Sequence, residues 1–267
     1  MMLSNLHTHT TLCDGANSAE EMICSAIEKG FSSLGFSGHG YTDFDLSYCM
    51  KDMDAYVSEI RRLSEKYKDK LRVYVGVEED ARCPLDRARF DYIIGSCHYS
   101  VKDGVFYSLD TSPEHFAKCL DAWHGDGAAL AEEYYGNFCD YILKRRPDII
   151  GHFDLLTKYK EIGVSDFFGS AEYQRIAERY TKVALGANCI FEVNTGAMAR
   201  GYRTSPYPDV ELLRVIKNEG GRVTLSSDSH GVDTLDFAFD EARALLREVG
   251  FRELWVMSDG VFKPVAT

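Results

Sequence analysis

The stretch RVYVGVEED, residues 72–80, indicates the fold of this chain most directly. Val73, Val75 and Val77 occupy alternate positions, so their side chains share one face of a predicted strand. The side chains between them share the opposite face, and Glu78 is the last of these. Apolar residues on one face and a carboxylate at the carboxyl end are typical of a barrel strand that is covered by helices.

The next two residues complete this motif. By the same alternation we expect Glu79 to point outward as a solvated carboxylate and Asp80 to turn back towards the inside of the barrel. Glu78 is therefore the carboxylate that we expect in a functional site.

Similar strands alternate with segments of helical period along the whole chain, which is typical of a parallel α/β fold. Predicted strands lie at 3–9, 32–38, 72–78, 91–97, 148–152, 189–194 and 222–228. Predicted helices lie at 18–29, 52–68, 113–122, 128–145, 170–186, 208–219 and 234–248, several with Asp, Ser or Pro at the start. The segment 99–112 is expected to be irregular, 195–207 to be a functional loop, and 253–265 to be a last strand or a hairpin.

The composition fits one globular domain over residues 1–267, because 267 residues are about enough for one α/β barrel. The net charge of −12 argues against a nucleic-acid partner, which would need a basic face.

No apolar run approaches the ~18 residues of a membrane span, and no signal peptide precedes the first strand, so we expect a cytoplasmic location. The eight cysteines contain no Cys-x-x-Cys pair and are expected to be free, mostly buried thiols.

Six of the eight histidines fall at the end of a predicted strand, where a parallel barrel gathers its functional groups. These histidines are His7, His9, His39, His98, His152 and His230. The carboxylates at the same ends are Asp14, Glu78, Glu79, Asp154 and Asp228. Imidazole and carboxylate together are the ligands of Zn, Mn or Fe(II). His115 and His124 are predicted to lie on helix surfaces.

Seven motifs, in this order, resemble the PHP (polymerase and histidinol phosphatase) superfamily, and most closely its histidinol-phosphate phosphatase branch. They are HTHTTLCDG (7–15), GFSGHG (35–40), VGVEED (75–80), GSCHYS (95–100), IIGHFDLLTKY (149–159), FEVNTGAMARGYRTSPYP (191–208) and SSDSH (226–230). The resemblance implies a distorted, TIM-like (β/α)7 barrel. One motif departs from the branch, because GVEEDA stands here where Gly-x-Glu-Val-Asp-Tyr is usual.

The resemblance also implies three divalent metal ions, which can be Mn, Fe or Zn. The first ion would be held by His7, His9, Glu78 and Asp228. The second would be held by Glu78, His98 and His152, and the third by Asp14, His39 and His230. Glu78 would thus bridge two ions.

The expected function is hydrolysis of a small phosphate ester, most specifically L-histidinol phosphate to L-histidinol and phosphate in histidine biosynthesis. A hydroxide bridging two ions would attack phosphorus, with Glu78 and Asp228 as catalytic residues. Either Asp228 or a metal-bound water would protonate the leaving oxygen. Arg200, Arg203 and Lys158 are candidate phosphate ligands, each equally compatible with a solvated surface charge. Asp80, Glu79 or Asp110 are candidate counter-charges for a histidinol-like amine.

Four alternatives remain open from the sequence. The nearest is a PHP phosphoesterase that acts on a nucleotide, a sugar phosphate or phosphotyrosine. A nuclease or proofreading module, a non-catalytic metal-binding protein and an amidohydrolase are the others. The acidic charge disfavours the nuclease, and the lack of a strand-end lysine disfavours the amidohydrolase.

Overall fold

The computed structural model describes residues 3–267. Its strands are β1 (Ser4–Asn5), β2 (Ser33–Phe36), β3 (Arg72–Asp80), β4 (Tyr92–Ser96), β5 (Tyr99–Lys102), β6 (Val105–Ser108), β7 (Ile149–Ile150), β8 (Ile190–Asn194), β9 (Arg222–Ser226), β10 (Glu253–Ser258) and β11 (Val261–Ala266). Its α-helices are α1 (Ala19–Glu28), α2 (Met53–Tyr67), α3 (Pro113–Ala122), α4 (Gly127–Arg145), α5 (Ala171–Leu185), α6 (Gly196–Ala199), α7 (Val210–Asn218) and α8 (Phe239–Val249).

Seven of the strands form a parallel sheet in the order β1-β2-β3-β4-β7-β8-β9. Hydrogen bonds between the residues that follow the two edge strands, β1 and β9, join the edges of the sheet. There the backbone N–H of His9 donates to the Ser229 carbonyl at 2.8 Å, and the N–H of Ser229 donates to the His7 carbonyl at 3.2 Å. Because all seven strands run in one direction, their carboxyl ends share one rim. This nearly closed seven-stranded barrel with surrounding helices confirms the predicted fold class.

The starts of three predicted helices are confirmed by side-chain caps. Ser18 and Glu21 form a capping box at the start of α1, where each side chain bonds the other residue's backbone N–H. The Asp52 carboxylate caps α2, and Ser112 caps α3 immediately before Pro113. These contacts satisfy backbone N–H groups that the helices leave without partners, so the helix starts follow from local sequence.

Three segments refine the sequence-based expectations. Residues 99–112, expected to be irregular, contain the antiparallel hairpin β5–β6. The helix expected from residue 234 begins at Phe239, because Ala238 has a left-handed backbone with φ of 54° that interrupts the helix. The tail forms the hairpin β10–β11 through Asp259 and Gly260, both with positive φ, which is the conformation of a two-residue hairpin turn.

The two faces of β3 divide as the sequence predicts. Val73, Val75 and Val77 pack outward into the large apolar core that includes the helices. Tyr74 faces the inside of the barrel. There it belongs to a smaller apolar cluster with Leu6, Tyr92, Ile94, Ile149 and Met257. This cluster fills the barrel on the side away from the carboxyl rim, so the rim has an apolar base.

The ring of Tyr92 crosses the barrel interior and leaves no room for a side chain at one position on each of the strands β2 and β3. Its hydroxyl donates to the Leu6 carbonyl at 2.5 Å. A Cβ atom added to Gly76 would lie 2.2 Å from the Tyr92 ring, and one added to Gly35 would lie 2.2 Å from the Tyr92 hydroxyl oxygen. Glycine at both positions is therefore required by the close approach of this ring.

The cysteines agree with the sequence-based prediction. All eight are free thiols, and five of them are buried. In the described range 3–267, no helix combines the length and apolarity that crossing a membrane requires.

We expect Gly76→Ala to lower the free energy of unfolding by about 1–3 kcal/mol, because the added methyl group overpacks the barrel against Tyr92. Chemical denaturation measures the change. The matched control is Gly136→Ala inside α4, where the nearest atom to the new Cβ is the Tyr180 hydroxyl at 3.5 Å. Alanine favours a helix interior over glycine by about 0.5–1 kcal/mol, so the control should be neutral or stabilising. Equal stability of the two variants would contradict the interpretation.

Candidate metal centre

Glu78 lies at the centre of a group of imidazoles at the carboxyl rim. The residue is near the end of β3 and only 1% exposed. On its Oε1 side, the Nε2 atoms of His98 and His152 lie at 3.2 and 2.9 Å. On its Oε2 side, His7 Nε2 lies at 3.2 Å and His39 Nδ1 at 2.9 Å. The ends of four strands thus place an imidazole against one carboxylate.

Asp228, which follows β9, forms another side of the group. Its Oδ1 atom lies 3.2 Å from His9 Nε2 and 3.7 Å from His7 Nε2. Its Oδ2 atom accepts a hydrogen bond from Arg200 Nη2 at 3.1 Å. The structure therefore brings together His7, His9, Asp228 and Glu78, the four residues assigned by resemblance to a first ion.

Asp14 gathers the remaining predicted ligands. Its Oδ2 atom lies 3.5 Å from His39 Nε2 and 3.3 Å from His230 Nε2. His9 joins them, with its Nδ1 3.4 Å from Asp14 Oδ1. The resemblance placed His9 only in the first set and His39 only in the third. In the structure His9 faces Asp14 as well as Glu78 and Asp228, and His39 faces Glu78 as well as Asp14. The predicted ligand sets therefore share more residues than expected.

The donor atoms fit divalent cations. Three buried atoms at the centre, His7 Nε2, His9 Nε2 and Glu78 Oε2, have no hydrogen-bond partner among residues 3–267. Buried polar atoms are normally paired, so unpaired ones that face a shared space point to a bound group. One ligand atom from each of these residues lies within 4.8 Å of the others, as it does for His9, Asp14, His39 and His230. Nitrogen and oxygen donors in this arrangement suit Zn, Mn or Fe(II).

The imidazoles also keep the carboxylates of the centre ionised. Burial raises the pKa of Glu78, but the charges of His7, His39 and His98 outweigh burial and hold that pKa well below its usual range. Burial likewise raises the pKa of Asp228, and Arg200 leads the charges that hold it well below its usual range. Ionised carboxylates are the form that binds a cation.

Glu192 is part of the centre and was missed by the sequence analysis. This residue in the middle of β8 is 1% exposed, and its Oε1 lies 2.6 Å from His7 Nδ1. Its Oε2 accepts the backbone N–H of His152 at 2.8 Å. The sequence held a signal, because one charged residue interrupts the apolar run CIFEV at 189–193. A charge inside a buried strand is costly unless it is paired, which indicates a partner in the barrel.

Glu79 corrects the prediction of a solvated carboxylate. It does face outward from the barrel, but it is fully buried against α4. Its oxygens accept a hydrogen bond from Tyr141 at 2.5 Å and two from Arg145 at 2.8 Å. Asp80 returns towards the site as predicted, and accepts the backbone N–H of His98 at 3.2 Å. Neighbouring carboxylates on β3 therefore have separate environments.

Asp154 and Arg203 lie away from the imidazoles. The Arg203 side chain is fully buried, lies 3.8 Å from Asp154 Oδ2, and also bonds Asp209 and the Thr157 hydroxyl. Burial raises the pKa of Asp154 to about 6, although Arg203 opposes this shift. These contacts tie the loop after β8 to the segment after β7.

A cavity of about 340 Å³ opens directly above the centre. Its walls include Asp14, His39, His98, His152, Asp228 and His230 from the centre, together with Lys158 and Arg200. Arg203 is not among the lining residues. The structure therefore brings two of the three candidate phosphate ligands to the cavity and keeps the third in a buried ion pair.

His115 lies on the exposed surface of α3, and His124 lies in the exposed turn between α3 and α4 rather than in a helix.

A parallel barrel that gathers imidazoles and carboxylates beneath a cavity at its carboxyl rim is an arrangement typical of metal-dependent hydrolases. The chain belongs to the PHP domain family, since the family model matches residues 5–196. This confirms the resemblance that the seven motifs indicated.

Similar proteins cover nearly the whole chain. A protein of Schizosaccharomyces pombe named "Probable histidinol-phosphatase" is 27% identical and covers 96% of this chain and 89% of its own. A histidinol-phosphatase of Lactococcus lactis is 25% identical, covering 95% and 93%. The crystal structure of the Lactococcus lactis histidinol phosphate phosphatase, with zinc, L-histidinol and phosphate, superposes with a TM-score of 0.72 at 23% identity over 98% of each chain. The structural match shows the same fold.

We expect Glu78→Gln to remove at least one divalent ion per chain, because the amide loses the charge and one oxygen at the centre of the cluster. Mass spectrometry of the metal content after dialysis measures the loss. Glu79→Gln is a matched control on the same strand. It should retain the metal content but lower the free energy of unfolding by about 1–3 kcal/mol, because Arg145 loses its charged partner. An unchanged metal content in Glu78→Gln would count against the proposed ligand set.

Proposed function

We propose that this chain is a metal-dependent phosphomonoesterase that hydrolyses L-histidinol phosphate to L-histidinol and phosphate. The observation that supports it most strongly is a carboxylate surrounded by imidazoles, Glu78, beneath a cavity that also exposes two cationic side chains. Two relatives that align over nearly the whole chain are named as histidinol-phosphatases, which supports the choice of substrate.

Nine side chains would hold three divalent ions, and their identity as Mn, Fe or Zn depends on metal availability as well as on the ligands. These side chains are His7, His9, Asp14, His39, Glu78, His98, His152, Asp228 and His230. When bound, the ions stabilise the charge of the phosphoryl oxygens and activate water for attack on phosphorus. Glu78 contributes by lying between two groups of donor atoms, those near its Oε1 atom and those near its Oε2 atom, and by fixing their relative positions.

Arg200 and Lys158 bind the phosphate group of the substrate. Arg200 lines the cavity, and its Nη2 atom is oriented by Asp228 at 3.1 Å. Its planar guanidinium suits two phosphate oxygens at once. Lys158 lines the same cavity, and its Nζ donates to the Asp110 carbonyl at 2.7 Å. Two oriented cations at the cavity wall therefore offer phosphate a site close to the imidazole cluster.

Asp228 is the residue placed to move the proton. It lines the cavity, contacts the candidate ligand His9, and touches the phosphate-binding Arg200 through its other oxygen. A carboxylate in that position can accept a hydrogen bond from the attacking water and pass its proton to the leaving oxygen as the phosphorus–oxygen bond breaks, without storing the proton itself.

The rest of the cavity suits an alcohol that carries an amine and an aromatic ring. Tyr48, Tyr99 and Tyr202 form aromatic walls, and the Asp110 carboxylate, whose Oδ2 atom lies 3.4 Å from Lys158 Nζ, offers a counter-charge. Glu79 and Asp80, the other two candidates for this role, are not among the lining residues. Asp110 is therefore the group that we assign to the substrate amine.

Turnover of a panel of phosphate esters tests the substrate. We expect kcat/KM for L-histidinol phosphate to exceed the values for p-nitrophenyl phosphate, phosphotyrosine, a nucleotide and a sugar phosphate. Of these esters, only histidinol phosphate has an ammonium group on the carbon next to the phosphoester CH₂, for Asp110, and a small ring that bears no phosphate, for the tyrosines. A value for histidinol phosphate no higher than that for p-nitrophenyl phosphate would reject this substrate. The protein would then be a phosphoesterase with a different substrate.

Arg200→Gln should lower kcat/KM about 10²- to 10³-fold, the loss that follows removal of one oriented group that stabilises developing charge. Weaker inhibition by inorganic phosphate should accompany the loss. Arg179→Gln is the control, since it removes the same charge from an exposed position on α5, where Arg179 pairs with Glu132. Comparable losses in both variants would mean that net charge, and not contact with phosphate, governs the effect.

A further inference from the structure

Glu192 connects the ring of one candidate ligand to the backbone of another. Its Oε1 atom lies 2.6 Å from His7 Nδ1 and accepts the Ser226 hydroxyl at 2.5 Å. Its Oε2 atom accepts the His152 backbone N–H at 2.8 Å and the Asn194 side-chain amide at 3.0 Å. Each oxygen thus has two partners, and the carboxylate joins four strand ends inside the barrel.

The contact with His7 determines which ring nitrogen carries hydrogen. Three donors point at the Glu192 oxygens, namely the His152 N–H, the Asn194 amide and the Ser226 hydroxyl. A carboxylate surrounded by donors acts as an acceptor towards its fourth partner as well, so the contact at 2.6 Å places a hydrogen on His7 Nδ1. His7 Nε2 points the other way, 3.2 Å from Glu78 Oε2, and has no hydrogen-bond partner among residues 3–267.

We propose that Glu192 is a positioning residue that fixes a hydrogen on His7 Nδ1, so that the His7 Nε2 lone pair remains directed at a divalent cation. The inference rests on the proposed function, because it assumes that His7 is a metal ligand. A histidine ligand that donates its other N–H to a carboxylate is held in one orientation and is a stronger base.

Replacement of Glu192 by glutamine makes a specific prediction, because the amide can face only one way. The backbone N–H of His152 is a fixed donor at the Oε2 position. Asn194 is fixed too, since its Oδ1 accepts the Gly196 N–H at 2.8 Å and its amide must therefore donate to residue 192. Two donors at this position require the glutamine carbonyl there, which directs the glutamine NH₂ group towards His7 Nδ1.

In Glu192→Gln, His7 must therefore accept at Nδ1 and carry its hydrogen on Nε2. That hydrogen would point towards Glu78 and Asp228, in the position of the cation. The Ser226 hydroxyl can rotate to accept the amide hydrogen, so it does not oppose the change. The variant should then bind metal more weakly although its side chain has almost the same shape.

The hydrogen position is measured directly on the metal-free protein with ¹⁵N-labelled histidine. Long-range ¹H–¹⁵N correlation spectra distinguish protonated from bare ring nitrogens, and His7→Gln identifies the His7 signals. In the natural sequence we expect Nδ1 of His7 to stay protonated at every pH at which the protein is folded. In Glu192→Gln, Nδ1 should become bare at alkaline pH. If His7 Nδ1 carries no hydrogen in the natural protein, the inference is wrong, whatever the variants at Glu192 show.

Zinc affinity, measured by competition with a chelating dye, provides the second readout. We expect a loss of about 10- to 100-fold in Glu192→Gln, which is the usual effect of changing the partner of a ligand histidine. Ser226→Ala is the matched control, because it removes a hydrogen bond to the same oxygen but leaves the carboxylate and its contact with His7. Its affinity should stay within about threefold of the natural protein.

The outcomes separate the two proposals. If the natural protein binds no zinc, the proposed metal-dependent function fails, and the spectra still decide where the hydrogen lies on His7. If the natural protein binds zinc and Glu192→Gln binds it equally well, the positioning role is wrong while the function stands. Equal losses in Glu192→Gln and Ser226→Ala would also reject the role, since they would indicate a general effect on the barrel.

Discussion

An ionised carboxylate inside a barrel is the constraint on which the rest of this structure depends. Removing a carboxylate from water is strongly unfavourable unless opposite charge or hydrogen-bond donors replace the water. Glu78 is almost completely buried, and four imidazoles lie within 3.2 Å of its oxygens. Each imidazole comes from a different strand end. The parallel barrel is thus the scaffold that allows one buried charge to be surrounded, and the cluster gives the barrel its functional rim.

The sequence predicted the barrel because each element carries its own local signal. Valine at alternate positions of β3 indicated which face would meet the helices, and that face is indeed buried against them. Caps such as Ser18 and Asp52 marked where helices begin. The six strand-end histidines could be assigned to one rim by topology alone, since parallel strands all end on the same side.

What the sequence could not supply were partners that are distant along the chain. Glu79 was expected in solvent because strand alternation says which face a residue takes but not what covers that face. Its partner Arg145 lies 66 residues away on α4. Arg203 looked like a phosphate ligand for a similar reason, and its buried contacts with Asp154 and Asp209 depend on how two loops pack. Glu192 was overlooked because its role is visible only once β1, β7, β8 and β9 are adjacent.

The contacts that close the barrel between β1 and β9 determine when the metal centre can form during synthesis. Asn5 donates to the Ser227 hydroxyl at 2.7 Å across a separation of 222 residues, and the neighbouring backbones of His7, His9 and Ser229 complete the closure. During synthesis the amino-terminal part of a chain is exposed long before the rest. His7 and His9 are therefore synthesised well before Asp228 and His230, and the full donor set first exists once residue 230 has been made.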